Sequence, residues 1–345
     1  MTGESVGKRS TAAMGASPES GRVEEIDTAK GIGIVLVVWG HMVGPDLRPS
    51  GNEWWGTWNH YLYAFHMAFF FFLSGYVFFL RPADQWRMRV RKSAIKLVPA
   101  YLMFAMLVFL AKAVAVRALH VDRPVQDPLD EVLRMLLYPV YGFAQYLWFI
   151  YSLLQVYVIV ALLKNWLPRH FGLALIAAAV LHLLAVSGYV TQLFALQQTA
   201  RYLIFFLLAD ACLRYPGAWK KLTTRYGGVA LVAFASALVT LPVAWLATVA
   251  GLLCIPALVA LASRLNRLPG PRRLLQYLGR NTLTIYLMNA LALGLVRAIF
   301  IKAWGWDDWH FFVVAPVLLC SGLALPIVAQ RVIFRRWTWL DRITR

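Results

Sequence analysis

About ten apolar runs divide this chain, and each can enter a lipid bilayer as a helix. Crossing the hydrocarbon core takes about 20 predominantly apolar residues, at ~1.5 Å per residue. Backbone polar groups in lipid must be satisfied within the protein, and helices do so within one segment. The sequence therefore predicts an all-α, polytopic membrane bundle of about ten transmembrane helices, near residues 28–45, 61–80, 97–117, 143–163, 171–187, 199–213, 227–241, 243–262, 281–302 and 310–334.

Charge is scarce and unevenly placed. Of 345 residues, 60% are hydrophobic and 14% charged, whereas soluble domains carry about 25% charged residues. No recognition motif accompanies the net charge of +18, so we expect no nucleic-acid partner. The basic residues instead cluster between alternate apolar runs, as the positive-inside rule requires. This sorting predicts a protein surrounded by membrane lipids, with both termini cytoplasmic.

The chain divides into three parts. Residues 1–24 are rich in Ser, Gly and Ala and lack the apolar region of a signal peptide, which predicts a disordered cytoplasmic tail. Residues 25–335 form the membrane domain, and 336–345 a basic cytoplasmic tail. The three cysteines lie far apart in apolar runs and have no metal-site spacing, so we expect no metal.

The first apolar run carries ionisable residues, which are costly inside a membrane and mark function by default. Successive residues of a helix are ~100° apart, so eleven steps from Lys30 to His41 end about 20° from three full turns. Asp27 lies one turn earlier on the same stripe. The spacing predicts that this stripe faces the protein interior, with His41 roughly 16 Å from Lys30 along the axis.

Two motifs in this region resemble a known family. IDTAKGIGIVLVVWGH, residues 26–41, and FHMAFFFFLSGY, residues 65–76, are similar to the opening of the acyltransferase-3 family, in its fucose 4-O-acetylase-like branch. These are polytopic enzymes that O-acylate sugars of cell-surface or exported glycans. The resemblance implies an O-acetyltransferase of a bacterial inner membrane that uses acetyl-CoA as cosubstrate and a saccharide hydroxyl as acceptor.

The resemblance assigns roles to the ionisable residues of the first two runs. His41 matches the histidine regarded as essential in the family, and a neutral imidazole suits a general base. Lys30 stands where most of the family has arginine; it is either a catalytic or CoA-binding cation or an interfacial lysine. His66 is predicted at a similar depth to His41, as a catalytic or acceptor-binding partner or as a packing residue.

Three further segments resemble later parts of the family. In RVRKSAIKLVPAY, a basic inner loop, we expect Arg89, Arg91 and Lys92 to bind CoA phosphates, although any inner loop is basic. Trp148 is either a membrane anchor or a sugar-stacking residue. LGRNTLTIYLMN ends in Asn289 where the family usually has histidine, and we expect Asn289 to hydrogen-bond to the substrate.

The predicted function is therefore transfer of an acyl group, expected to be acetyl, from acyl-CoA to a saccharide hydroxyl, with His41 as base. A membrane transporter or exporter of a glycan intermediate is the alternative, since intramembrane charges are equally expected there. Binding of acetyl-CoA discriminates between the two.

Overall fold

The computed structural model describes residues 24–44, 47–117, 125 and 127–344. This part of the chain is helical and contains no β-strand. Apart from Glu24, the predicted N-terminal tail lies outside the described residues. The α-helices are α1 Glu24–His41, α2 Trp54–Phe79, α3 Trp86–Ala115, α4 Pro128–Leu137, α5 Trp148–Leu162, α6 Phe171–Val186, α7 Leu196–Arg214, α8 Pro216–Thr224, α9 Gly227–Thr240, α10 Val243–Leu265, α11 Pro269–Arg280, α12 Thr282–Ala303, α13 His310–Val332 and α14 Thr338–Thr344.

Each of the ten apolar runs contains a helix, and the all-α membrane fold is confirmed. Within the described ranges, six helical stretches are long and apolar enough to cross a membrane, namely those that contain α2, α3, α5, α10, α12 and α13. The pair α8 and α9, bent by 71°, makes a seventh if it is one span. The number of ten crossings stays a prediction.

Helices α1 and α2 lie at the centre of the bundle. The most apolar stretch of α2 is 83% buried, against 33% for the stretch that contains α3. A helix that is apolar on every side, as α2 is, is usually buried among other helices. Helix α2 packs against α1, α7 and α10. Helix α1 packs against α2, α10, α11, α12 and α13. Polar residues of α1 therefore face protein rather than lipid.

The basic segment before residue 97 is helical, which corrects its prediction as a loop. Helix α3 begins at Trp86 and continues through Lys96 into the apolar run. No glycine interrupts this stretch, and arginine, lysine and alanine are good helix formers. The basic side chains are consequently fixed on particular faces of a helix.

The turn at Leu241–Pro242 joins α9 and α10 as an antiparallel hairpin. Proline cannot continue a helix ladder, and residue 241 is extended, with φ −82° and ψ 140°. At the other end of the hairpin, a β-carbon on Gly227 would lie 2.6 Å from that of Ala260. The first residue of α9 thus packs near the end of α10.

The predicted basic tail, 336–345, is a helix over most of its described part. Within α14, Leu340 and Ile343 are buried. The backbone carbonyl of Thr344 accepts a 2.7 Å hydrogen bond from Thr284 of α12. Leu340 and Ile343 are three residues apart, so they lie on one face of α14, and that face packs against the bundle.

Helices α1 and α11 approach each other through two glycines. A β-carbon on Gly31 would lie 2.1 Å from the carbonyl oxygen of Leu275, and one on Gly279 only 1.8 Å from that of Asp27. Contacts this short exclude any side chain at either position. The close approach fixes the end of α11, and with it Arg280, against α1.

We expect Gly279→Ala to destabilise the protein by about 1–3 kcal/mol or more, because the methyl group must displace backbone atoms of α1. Gly270→Ala is the matched control in the same helix, since a β-carbon on Gly270 would have nothing within 4 Å. Thermal unfolding of the purified variants measures the difference. Equal midpoints for the two variants would contradict the close packing.

Candidate active site

His41 is the last residue of α1, and it is hydrogen-bonded to Asn289 of α12. Its Nδ1 lies 2.7 Å from the Asn289 side-chain oxygen. The Asn289 amide nitrogen donates to the carbonyls of Ile285 and Tyr286, at 3.0 and 2.7 Å. These two bonds fix the amide orientation, so the oxygen is the acceptor and His41 Nδ1 carries the proton. Nε2 is therefore the basic nitrogen of His41.

A polar cavity of about 680 Å³ begins at His41. Aromatic residues and groups able to hydrogen-bond line much of it. Its polar and aromatic members are His41, His60, Tyr63, Gln145, Tyr146, Trp148, Ser187, Gln198, Arg201 and Tyr202. We call it the polar cavity. It places His41 beside groups suited to a hydroxyl-rich ligand.

Trp148 lines the polar cavity, as its predicted substrate-binding role requires, and that role stays a prediction. Its indole stacks on Tyr202, with ring centroids 5.5 Å apart. Tyr202 in turn stacks on Phe71 at 4.9 Å and 5°. The stack holds the indole in one orientation, which makes a rigid wall of the cavity.

A second cavity, of about 290 Å³, lies along α1 and holds four cationic side chains. We call it the basic cavity; its cations are Lys30, Arg89, Lys96 and Arg280. Val37 also lines it, one helical turn before His41. The basic cavity therefore extends from the Lys30 level of α1 to within one turn of the histidine.

The structure separates the three predicted phosphate-binding residues. Arg89 lines the basic cavity, whereas Arg91 and Lys92 are exposed and are not among its lining residues. Lys96 lies seven residues after Arg89, about 20° short of two turns, and so shares its face, while Arg91 is ~200° away. Sequence reasoning missed Lys96, although this helical period would have identified it. It also missed Arg280, which only the packing of α11 on α1 brings to the cavity.

An aromatic floor separates the basic cavity from the polar one. Tyr286 and Phe149 line the basic cavity, and Tyr146 lines the polar one. The Tyr286 hydroxyl donates to the Tyr146 backbone carbonyl, and the Tyr146 hydroxyl donates to the Leu287 carbonyl at 2.8 Å. The rings of Phe149 and Tyr286 contact edge to face, with centroids 5.5 Å apart. The aromatic floor therefore consists of Tyr146, Phe149 and Tyr286, and hydrogen bonds to backbone carbonyls hold its two tyrosines in place.

His66 and Asn289 are both buried, and their predicted ligand-binding roles stay predictions. His66 is 1% exposed and its Nδ1 donates to the Leu62 carbonyl of its own helix, at 2.7 Å. Asn289 is fully buried. Neither lines the polar or the basic cavity. The contacts favour the packing alternative for His66, and they give Asn289 a partner in His41.

Asp210, which the sequence left without a role, is completely buried in α7. Its carboxylate accepts a 2.8 Å hydrogen bond from Arg214, four residues later in the same helix. A buried carboxylate needs such a partner. Among the described residues, no group of three or more His, Cys, Asp or Glu side chains could hold a metal ion.

Fold and site together define a polytopic helical membrane protein in which one oriented histidine lines a polar cavity, one helical turn beyond the last α1 residue of a basic cavity. Residues 23–331 match the acyltransferase-3 family, described as an acyltransferase domain. The chain belongs to this family, and the protein is a membrane acyltransferase. The searches of curated proteins and of solved structures returned no match.

Proposed function

We propose that this protein is an O-acetyltransferase that moves an acetyl group from acetyl-CoA to a hydroxyl of a cell-surface or exported saccharide. The observation that carries the proposal is the His41–Asn289 pair, which leaves Nε2 of His41 unprotonated in the lining of the polar cavity. The fucose 4-O-acetylase-like motif around His41 supports a saccharide acceptor.

The reaction uses His41 as general base. The acceptor O–H gives its proton to Nε2 while its oxygen forms a C–O bond to the acetyl carbonyl carbon. The C–S bond then breaks, and the departing CoA thiolate takes the proton from the imidazolium, so the histidine returns to its starting state. Asn289 accepts from Nδ1–H throughout and keeps the ring in the reactive tautomer.

The basic cavity is suited to the phosphates of CoA. Two of its four cations, Arg89 and Arg280, carry guanidinium groups, which bind phosphate through two parallel hydrogen bonds. The cavity reaches Val37, one turn below His41. A CoA held there directs its thioester arm along α1, and Lys30 lies where it adds positive charge near the donor.

The polar cavity is suited to the acceptor. Trp148 offers an apolar ring face, on which the C–H face of a sugar packs. Gln198 and Arg201 supply hydrogen-bond donors to sugar hydroxyls.

The test is acetyl transfer from labelled acetyl-CoA by the purified protein in lipid nanodiscs, with surface glycan isolated from cells that lack the protein as acceptor. We expect label in the glycan, removed by mild base because it is an ester. A glycan intermediate exporter would translocate its substrate without binding acetyl-CoA. Failure of acetyl-CoA to bind would therefore refute the proposal.

Arg89→Gln should weaken acetyl-CoA binding about tenfold, because one charge-assisted phosphate contact is worth about 1.5–3 kcal/mol. Arg91→Gln removes the same charge from a residue that is two positions further along α3 and exposed. This control variant should change the affinity for acetyl-CoA less than twofold. Calorimetric titration with acetyl-CoA gives both values. Equal weakening by the two variants would show that only the general charge of the segment matters.

A further inference from the structure

A third cavity, of about 280 Å³, shares His41 with the polar cavity. We call it the lateral cavity. It lies between the end of α1, the second half of α3 and the second half of α12. Its walls are mostly small or aliphatic, with Val43, Val108, Ala111, Ala115, Ala290, Leu291, Leu293, Gly294, Leu295 and Ala298 among them.

The helices on both sides of the lateral cavity present apolar side chains outward. Val114 of α3 is 69% exposed and Leu295 of α12 is 56% exposed. Both helices are long and apolar enough to span the membrane, so we expect these side chains to face lipid. Leu295 also lines the cavity. The cavity is therefore bordered by the lipid-facing surfaces of α3 and α12.

Two cations line the lateral cavity beside its aliphatic walls. Arg297 of α12 is 7% exposed and donates to the Met42 carbonyl at 3.2 Å. Lys112 of α3 is half-buried. Cations inside membrane helices are costly and mark binding sites for ions or substrates. A small cavity with aliphatic walls and two positive charges is complementary to an anionic group attached to an apolar chain.

We propose that the acceptor saccharide is carried on a lipid phosphate that enters between α3 and α12. The phosphate binds at Lys112 and Arg297, and the apolar chain extends past Leu295 into the bilayer. The saccharide lies in the polar cavity, since His41, Tyr63, Gln145 and Tyr146 line both cavities and join them. This inference rests on the proposed function and specifies its acceptor class.

The test measures binding of dodecyl phosphate to the full-length protein in zwitterionic lipid nanodiscs, by titration of the thermal unfolding midpoint. Dodecanol has the same chain without the anion, and inorganic phosphate has the anion without the chain. We expect saturable stabilisation by dodecyl phosphate only. If inorganic phosphate raised the unfolding midpoint equally, the site would bind anions without a lipid chain and the proposal would be wrong. If dodecanol raised it equally, the two cations would have no part in binding, which would also overturn the proposal.

Two kinds of variant locate the site. Arg297→Gln and Lys112→Gln should each raise the apparent Kd for dodecyl phosphate about tenfold. Gly294→Leu should abolish binding by filling the cavity, and it should fold, because a β-carbon on Gly294 has no other atom within 4 Å. Gly172→Leu on α6 is its matched control, with the same free space and no position in the cavity. Unchanged binding by Gly294→Leu would overturn the assignment.

These titrations contain no acetyl-CoA, so the lipid-phosphate site and the O-acetyltransferase function can each be refuted without the other. If dodecyl phosphate binds as expected but acetyl-CoA does not bind, the O-acetyltransferase function is wrong and the lipid-phosphate site stands. If the protein transfers acetyl groups but dodecyl phosphate does not bind, only the lipid-linked acceptor is wrong.

Discussion

His41→Gln should lower acetyl transfer about 10²–10⁴-fold, the usual effect of losing a general base. Glutamine keeps a hydrogen-bonding group and much of the volume at the end of α1, but its amide cannot take the acceptor's proton. Acetyl-CoA affinity should stay within twofold, because the basic cavity ends one turn below position 41. Transfer by the purified variant, measured beside calorimetric acetyl-CoA titration, separates the two effects.

His66→Gln is the control histidine variant, since His66 bonds only within its own helix in the contacts seen here and lines neither the polar nor the basic cavity. It should keep most of the activity of correctly folded protein. Near-normal turnover of His41→Gln would show that position 41 serves packing. Loss of turnover in His66→Gln alone, with acetyl-CoA binding intact, would transfer the base role to His66.

Asn289→Leu should lower kcat about 10²-fold and leave the KM for acetyl-CoA unchanged. Leucine has a similar shape but cannot accept from His41 Nδ1–H, so the imidazole loses both its fixed orientation and its fixed tautomer. Loss of the tautomer costs ~10⁴ in a serine protease triad; the loss here should be smaller, because Asn289 is neutral. Asn289→Asp restores an acceptor for Nδ1–H and should recover part of kcat.

Asn281→Leu is the matched control for this positioning role. Asn281 also donates to the carbonyl four residues before it, Tyr277 at 2.8 Å, but it is at the start of α12, away from His41. It should therefore keep kcat within a few-fold. If Asn289→Leu and Asn281→Leu reduce kcat equally, or if Asn289→Asp recovers nothing, the amide stabilises α12 and does not position the base.

The sequence predicted those parts of the site that lie on one element. The eleven-residue spacing in α1 places Lys30 and His41 on one stripe, and the structure has each at a cavity. This prediction works because helical geometry alone relates two positions on one helix. The apolar runs likewise located the helices, because lipid requires long apolar segments.

The sequence could not predict which residues of different helices come into contact. The partner of His41 is 248 residues away in the chain, and only the packing of α12 against α1 brings it near. Arg280 reaches the basic cavity because two glycines allow α11 to touch α1. Arg91 was grouped with Arg89 by closeness in sequence, although two residues apart on a helix are on nearly opposite faces. Lys92, three residues after Arg89, is near its face but is exposed and does not line the cavity.

The aromatic floor formed by Tyr146, Phe149 and Tyr286 has a consequence for what crosses the membrane. On the proposed function, donor and acceptor occupy opposite sides of these rings, so neither molecule has to pass them whole. Only the acetyl group would cross from the donor side to the acceptor side, and its transfer would take place beside His41. The protein would thus export acyl groups without an open pore. The cell's ion gradients would therefore be preserved while its glycans are acetylated.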